Sequence, residues 1–108
     1  MQQEQEQLAA RIRGKKVAFI GAGVSHKTLI REFARMGALV TLCDQKQSLA
    51  DFGDFADTLR ECHVALSLGE NYMDGFAGQD IIMRTPGFEL YKKPLQDAIA
   101  AGTLVTSE

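Results

Sequence analysis

The stretch Val17-Ala18-Phe19-Ile20-Gly21-Ala22-Gly23-Val24-Ser25 constrains this chain more than any other. Its apolar run reads as a strand covered on both faces, its two glycines as a tight loop, and the periodic residues after it as a helix. Glycine leaves room for a ligand close to the main chain, and the first turn of a helix aims N–H groups without helical partners at the same space. Together with the positive end of the helix dipole, those donors suit a phosphate or diphosphate. The stretch points to a nucleotide before it points to any reaction.

The flanking segments extend this into a repeating pattern. Met1 to Arg13, rich in Gln and Glu, carries Leu8, Ala9 and Ile12 at helical spacing and predicts a peripheral helix or a frayed tail that stops at Gly14. Lys16 to Ile20 is the first strand. Ser25 is placed to cap the next helix, which buries Leu29, Ile30, Phe33 and Met36 and closes at Gly37. Ala38 to Cys43 is a second strand, and strand, crossover helix and strand within this length imply a right-handed βαβ unit with parallel strands. Leu49 to Arg60 repeats apolar residues at near-helical intervals, interrupted by Gly53.

Val64 to Leu68 is a third strand, one helical turn is expected around Tyr72, and Asp80 to Arg84 is a fourth strand broken by Thr85-Pro86-Gly87. Pro94 opens a last helix that buries Leu95, Ala98 and Ile99 and stops at Gly102. Leu104 to Thr106 is a fifth strand, and a polypeptide that ends on a strand reads as cut from something longer. The expected architecture is α/β: a Rossmann-like, open, doubly wound parallel sheet of five strands in the order 3-2-1-4-5, with helices on both faces.

At 108 residues the chain holds one core and no second catalytic domain. A net charge of −2 gives no basic field for a nucleic acid backbone, and no apolar run approaches a membrane span, so neither nucleic acid nor membrane is an expected partner and the cytoplasm is the expected location. Cys43 and Cys62 lack metal-ligand or redox spacing and read as small core residues in a reducing compartment. His26 and His63 are too few and scattered for a metal site and are expected at the surface.

Ligands of open α/β sheets bind outside the carboxyl ends of the strands, where the winding reverses beside the first strand. Three polar turns converge there: Gly21 to Ser25, Asp44-Gln45-Lys46 and Thr85-Pro86-Gly87. Asp44 stands 21 residues beyond Gly23, near the spacing of the ribose-binding acid in dinucleotide folds. The third glycine of that fingerprint is replaced by His26, which bears on how closely helix and strand can approach. On the motif alone three readings stay open: a nucleotide site, an NAD-binding regulatory or dehydrogenase module, and an α/β interaction domain whose glycines merely make a tight turn.

Several blocks in order are more specific than the glycine loop. Gly-Ala-Gly-Val-Ser after the first strand, the acid after the second, Leu68-Gly69-Glu70-Asn71-Tyr72, Asp80-Ile81-Ile82-Met83-Arg84-Thr85-Pro86-Gly87 and the closing Val105-Thr106-Ser107-Glu108 resemble the N-terminal domain of the Mur ligases, in particular the branch that adds D-glutamate. The resemblance runs from about Lys16 to Glu108 and makes 16–108 a UDP-substrate-binding domain, with 1–15 peripheral. The family usually has a small residue where His26 stands.

The resemblance implies a site for the uridine diphosphate end of UDP-N-acetylmuramoyl-L-alanine. Backbone N–H groups of Gly23, Val24 and Ser25, with the Ser25 hydroxyl, would face the diphosphate; Asp44 would accept from the uracil imide or a ribose hydroxyl, with Gln45 and Lys46 completing the rim. Thr85, Pro86 and Gly87 would close the other side. Family members use ATP to phosphorylate the L-alanine carboxylate, which D-glutamate then attacks, with magnesium stabilising the transferred phosphoryl group. The ATP loop Gly-x-x-x-x-Gly-Lys-[Ser/Thr] is not in this sequence, so the resemblance assigns ATP, magnesium and every catalytic residue to central and C-terminal domains outside it. The chain is expected to hold substrate and to be inactive alone.

Overall fold

A computed structural model describes residue 7, residues 10–85, residue 88 and residues 90–107. Five parallel strands, β1 (Lys16–Ile20), β2 (Leu39–Asp44), β3 (Ala65–Leu68), β4 (Ile81–Arg84) and β5 (Leu104–Ser107), form one sheet in the order β3-β2-β1-β4-β5. Among the described residues three α-helices alternate with them, α1 (Val24–Arg35), α2 (Phe55–Glu61) and α3 (Lys93–Ala100), and residues 10–12 ahead of β1 are helical as well, where a peripheral helix or a tail is expected. The expected strand order and winding are those observed.

The central strands follow from period-2 patterning with apolar residues in both phases. Val17 and Phe19 of β1, Val40 and Leu42 of β2 and Met83 of β4 pack with Ile30 and Phe33 of α1 and with Phe52, Phe55 and Leu59. Ala18 and Ile20, Cys43 and Ile82 point the other way, against Tyr72, Phe76, Leu95 and Ala98. Two cores result, one on each face, as a sheet wound in both directions requires. Ile12, just before Gly14, is buried in the first of them, while Leu8 and Ala9 lie outside the described residues.

Gly53 splits the segment between β2 and β3. A 3-10 turn (Leu49–Phe52) precedes it, and its φ of +58° ends that turn before α2 begins at Phe55. Leu49 to Arg60 is thus two short pieces instead of one helix. A second 3-10 turn (Tyr72–Phe76) covers the end of the sheet, and Gly75 lets it do so: a β-carbon there would stand 2.7 Å from Ser67 Cβ and 2.8 Å from Cys43 Sγ.

Four sequence expectations change. α1 begins at Val24 with Gly23 as its cap residue in extended conformation, so Ser25 lies inside the first turn and its side chain makes no capping hydrogen bond. His26 is not at the surface; it is 1% exposed. Ile99 is 42% exposed, because eight residues of α3 present only a narrow face and Leu95 and Ala98 fill it. Cys43 is fully buried, whereas Cys62 is only partly so. His63 is exposed, as expected.

The amino ends of the strands are cross-tied. Asp80 Oδ2 accepts from Lys16 N at 2.8 Å, Asp80 N donates to Lys16 O, and Leu104 N donates to Asp80 O. Next to it, Thr103 Oγ1 donates to Gln79 O at 2.7 Å, and Gln79 Nε2 donates to Gly75 O at 2.9 Å.

Candidate functional site

The carboxyl edge of the sheet is built by three segments leaving β1, β2 and β4. At the end of β1, Gly21 extends the ladder by donating to Cys43 O at 2.8 Å, then turns with a φ of +81°, which glycine adopts without strain. Gly23 follows, exposed, and the first helical bond of α1 runs from Lys27 N to Gly23 O. The amides of Val24 and Ser25 precede that bond, at the positive end of a 12-residue helix. Val24 is 87% exposed, a large apolar side chain left outside both cores.

His26 secures this loop from beneath. Its Nδ1 donates to Gly21 O at 2.9 Å, and its ring meets Phe19 edge to face at 5.2 Å. Where the dinucleotide fingerprint has a third glycine to bring helix and strand together, this protein fills the gap with an imidazole that ties the loop to the helix.

At the end of β2, Asp44 Oδ1 accepts from Lys46 N at 2.9 Å, an Asx turn that reverses the backbone, while Asp44 O and Lys46 O both accept from Gly69 N. Gln45 is exposed, and the Lys46 ammonium lies over the Phe52 ring at 5.9 Å. After β4, Thr85 O accepts from Phe88 N at 3.0 Å and from Arg84 Nη1 at 3.3 Å. Pro86 and Gly87 lie outside the described residues.

These segments enclose a crevice of about 180 Å³ lined by Ile20, Gly21, Asp44, Gln45, Tyr72 and Thr85. Of the expected site residues, Asp44, Gln45 and Thr85 share it. Gly23, Val24 and Ser25 are exposed on the adjoining loop, and Lys46 is turned toward Phe52. Gly21 belongs to the loop that the sequence brings there, whereas sequence reasoning missed Ile20 and above all Tyr72. Tyr72 reads as a core aromatic and is one, packed against Phe76 at 6.3 Å, but its polar end reaches the crevice.

Burial raises the Tyr72 phenol above its ordinary value; a hydrogen bond from Gln45 opposes this, and the charges of Asp44 and Cys43 add to it. Burial likewise pushes the Cys43 thiol up to about 12, assisted by Asp44. Both groups are neutral near pH 7, and Asp44 is the one carboxyl group lining the crevice. A carboxylate acceptor, an amide and two hydroxyls around a small cavity suit a polar ring or a sugar.

A wider hollow of about 550 Å³ lies between the Tyr72–Phe76 turn and α3, lined by Met73, Phe76, Pro94 and Ala98. It is mainly apolar and sits on the flank of the sheet, away from the strand ends where chemistry collects in this architecture. The smaller crevice is the candidate site.

A family model described as Mur ligase MurD-like, N-terminal domain, matches residues 15–107. The protein belongs to the Mur ligase family, in its MurD-like branch. UDP-N-acetylmuramoylalanine--D-glutamate ligase of Clostridium beijerinckii is 42% identical over 95 residues, covering 88% of this chain and 20% of that protein. The same-named ligase of Clostridium botulinum strain Loch Maree is 40% identical over 97 residues, covering 90% of this chain and 21% of that protein. The chain thus spans about a fifth of the length of the curated relatives it matches, and it corresponds to the N-terminal domain of this Mur ligase branch.

Among solved structures, a dipicolinate synthase of Bacillus subtilis superposes with a TM-score of 0.68 at 22% identity, over 95% of this chain and 34% of that one. Quinate dehydrogenase of Corynebacterium glutamicum, in complex with NAD, gives 0.57 at 13% identity, over 94% of this chain and 47% of that one. At such identities the likeness is one of fold, and the MurD-like assignment rests on sequence.

Proposed function

We propose that this chain holds the uridine diphosphate end of UDP-N-acetylmuramoyl-L-alanine for a ligase that adds D-glutamate at the expense of ATP, and does no chemistry alone. The observation that carries the reading is the crevice shared by Asp44, Gln45, Tyr72 and Thr85 beside the exposed amino end of α1. Asp44 Oδ1 is engaged by Lys46 N, which fixes the carboxylate so that Oδ2 accepts from a uracil imide or a ribose hydroxyl. Gly23, Val24 and Ser25 present backbone N–H groups, and Ser25 a hydroxyl, to the diphosphate. Lys46 adds a cation at the rim and Thr85 lines the opposite wall, and Pro86 and Gly87, which lie outside the described residues, are assigned to the diphosphate side with it. In this reading residues 16–108 are the binding unit and 1–15 an accessory segment.

The residues present do not fit ATP and magnesium. The sequence has no Gly-x-x-x-x-Gly-Lys-[Ser/Thr] loop, and among the described residues no group of three His, Cys, Asp or Glu is placed to hold a metal ion. ATP, magnesium and the amino-acid site are assigned to further domains of the same enzyme, the partners of this chain. The proposed setting is the cytoplasm, and among the described residues no helix is long and apolar enough to cross a membrane.

Calorimetric titration with UDP and with NADH tests the reading: UDP is expected to bind and NADH not. NADH binding without UDP binding would instead make the protein an NAD module, and a melting temperature unmoved by either nucleotide would make it an interaction domain. Incubation with ATP, magnesium, UDP-N-acetylmuramoyl-L-alanine and D-glutamate is expected to release no phosphate above the blank.

A further inference from the structure

The helices α1, α2 and α3 end in one way. After α1, Gly37 N donates to Ala34 O and Ala38 N to Phe33 O; after α3, Gly102 N donates to Ile99 O and Thr103 N to Ala98 O. After α2 the same pair of bonds runs from His63 N to Arg60 O and from Val64 N to Leu59 O. The turning residue is left-handed in each case, with φ of +95° at Gly37, +102° at Gly102 and +55° at His63. Glycine suits this position because a β-carbon is disfavoured there. Among the described residues His63 is the only non-glycine with positive φ, so the fold is less stable for having an imidazole at that point.

His63 lines a cleft of about 370 Å³ between α1 and α2, together with Arg31, Arg35, Thr58, Glu61 and Cys62. Arg60 pairs with Asp57 and Lys93 with Asp97, and among the described residues no carboxylate is paired with either cleft arginine. One cation near the end of α1 is accounted for by the negative end of the helix dipole, and Arg35 serves there. Arg31 stands a full turn earlier, outside that effect. Two guanidiniums stand against the single carboxylate of Glu61 and the negative ends of α1 and α2, so the cleft carries two fork-shaped donors without an excess of negative charge. Gly37 and His63 stand just before the first residues of β2 and β3, Leu39 and Ala65, which puts the cleft at the amino edge of the sheet, opposite the crevice.

We propose that this cleft is a second anion site, for a phosphate group, in which the Arg31 and Arg35 forks bind the oxygens, the Thr58 hydroxyl donates to one of them, and His63 closes the mouth. Fork-shaped donors recognise phosphate oxygens in pairs, which a lone surface cation does not. The site is independent of the nucleotide reading, because it shares no residue with the crevice.

The test is a titration of the 108-residue chain with inorganic phosphate at constant ionic strength, followed by the ring signals of His63 and the side-chain N–H signals of Arg31 and Arg35. Saturable shifts are expected, with sodium chloride at equal ionic strength giving none. Arg31→Gln with Arg35→Gln is expected to abolish them and to leave UDP affinity unchanged. His63→Gly separates function from folding: it should raise the melting temperature by a few degrees while weakening phosphate about tenfold. No saturable shift in the parent protein would overturn the site, and shifts that survive both variants would overturn the residues assigned to it.

Discussion

His26 donates from Nδ1 to the carbonyl of Gly21, 2.9 Å away and five residues back in the sequence, across the loop that separates β1 from α1. The bond holds the loop in the shape that opens Gly23 and Ser25 to solvent. His26→Gly, which restores the third glycine of the dinucleotide fingerprint, removes the bond, empties the space beside Phe19 and puts a glycine inside a helix. These losses together are expected to cost about 3 kcal/mol, read as a lower urea midpoint at unchanged slope. A variant as stable as the parent would show that the imidazole carries no part of the loop.

Gly23 provides the opposite kind of variant. Its φ of −67° is ordinary for any residue, and nothing lies within 4 Å of where a β-carbon would be. Gly23→Ala should therefore leave stability within about 0.5 kcal/mol, yet weaken UDP about tenfold by obstructing the backbone at the diphosphate. Equal affinity in both proteins would move the diphosphate away from this loop.

Gly75 is closed to change for a reason of packing. Its φ is not left-handed, but an added methyl would collide with Ser67 Cβ and Cys43 Sγ. Gly75→Ala is expected to destabilise by about 1–3 kcal/mol, and Cys43→Ala in the same protein to recover part of that loss. Additive destabilisation in the double variant would rule out the collision.

The buried thiol sets an alkaline limit. In the folded state Cys43 keeps its proton up to about 12, while an unfolded thiol releases it near 9.0. The folded state binds the extra proton, so its advantage is complete below 9.0 and is lost as pH rises toward about 12, a change on the order of 4 kcal/mol. Tyr72, also raised, acts in the same direction above 10.0. Unfolding midpoints should fall across this interval, and in Cys43→Ala they should fall less. At neutral pH a thiol reagent should modify Cys62 first and Cys43 only as the fold opens.

Much of the fold is legible in the residues themselves because β1, β2 and β4 are apolar in both phases, and only a sheet covered on two faces accommodates that. Gly37 and Gly102 mark helix ends correctly because a left-handed turn there has a strong residue preference. Gly53 reads as an interruption, but its consequence, two short pieces, depends on a backbone angle that composition does not record. The cap at the start of α1 lies two residues before the hydroxyl of Ser25, since Gly23 in extended conformation serves as well. His26 escapes sequence reasoning because imidazole is common at surfaces, and its partner is a main-chain carbonyl that no side-chain pattern announces. Tyr72 escapes for a related reason: a residue that packs one end and offers the other looks, in a linear pattern, only like the packed end. Asp44, Gln45 and Thr85 are legible because strand order alone brings the ends of β2 and β4 to either side of β1.

The ties made by Gln79 and Asp80 reach β1, β5 and the Tyr72–Phe76 turn, and those of Asp80 sit where β1, β4 and β5 enter the sheet. The register of β1, β4 and β5 is therefore anchored at that rim, while at the opposite one the main-chain ties join β1 to β2 through Gly21 and Cys43 and β2 to Gly69. Amide exchange should be slowest near Asp80 and quicken toward Gly23 and Thr85, so that a guest arriving at the opposite rim finds segments able to close around it while the strand register stays fixed behind them.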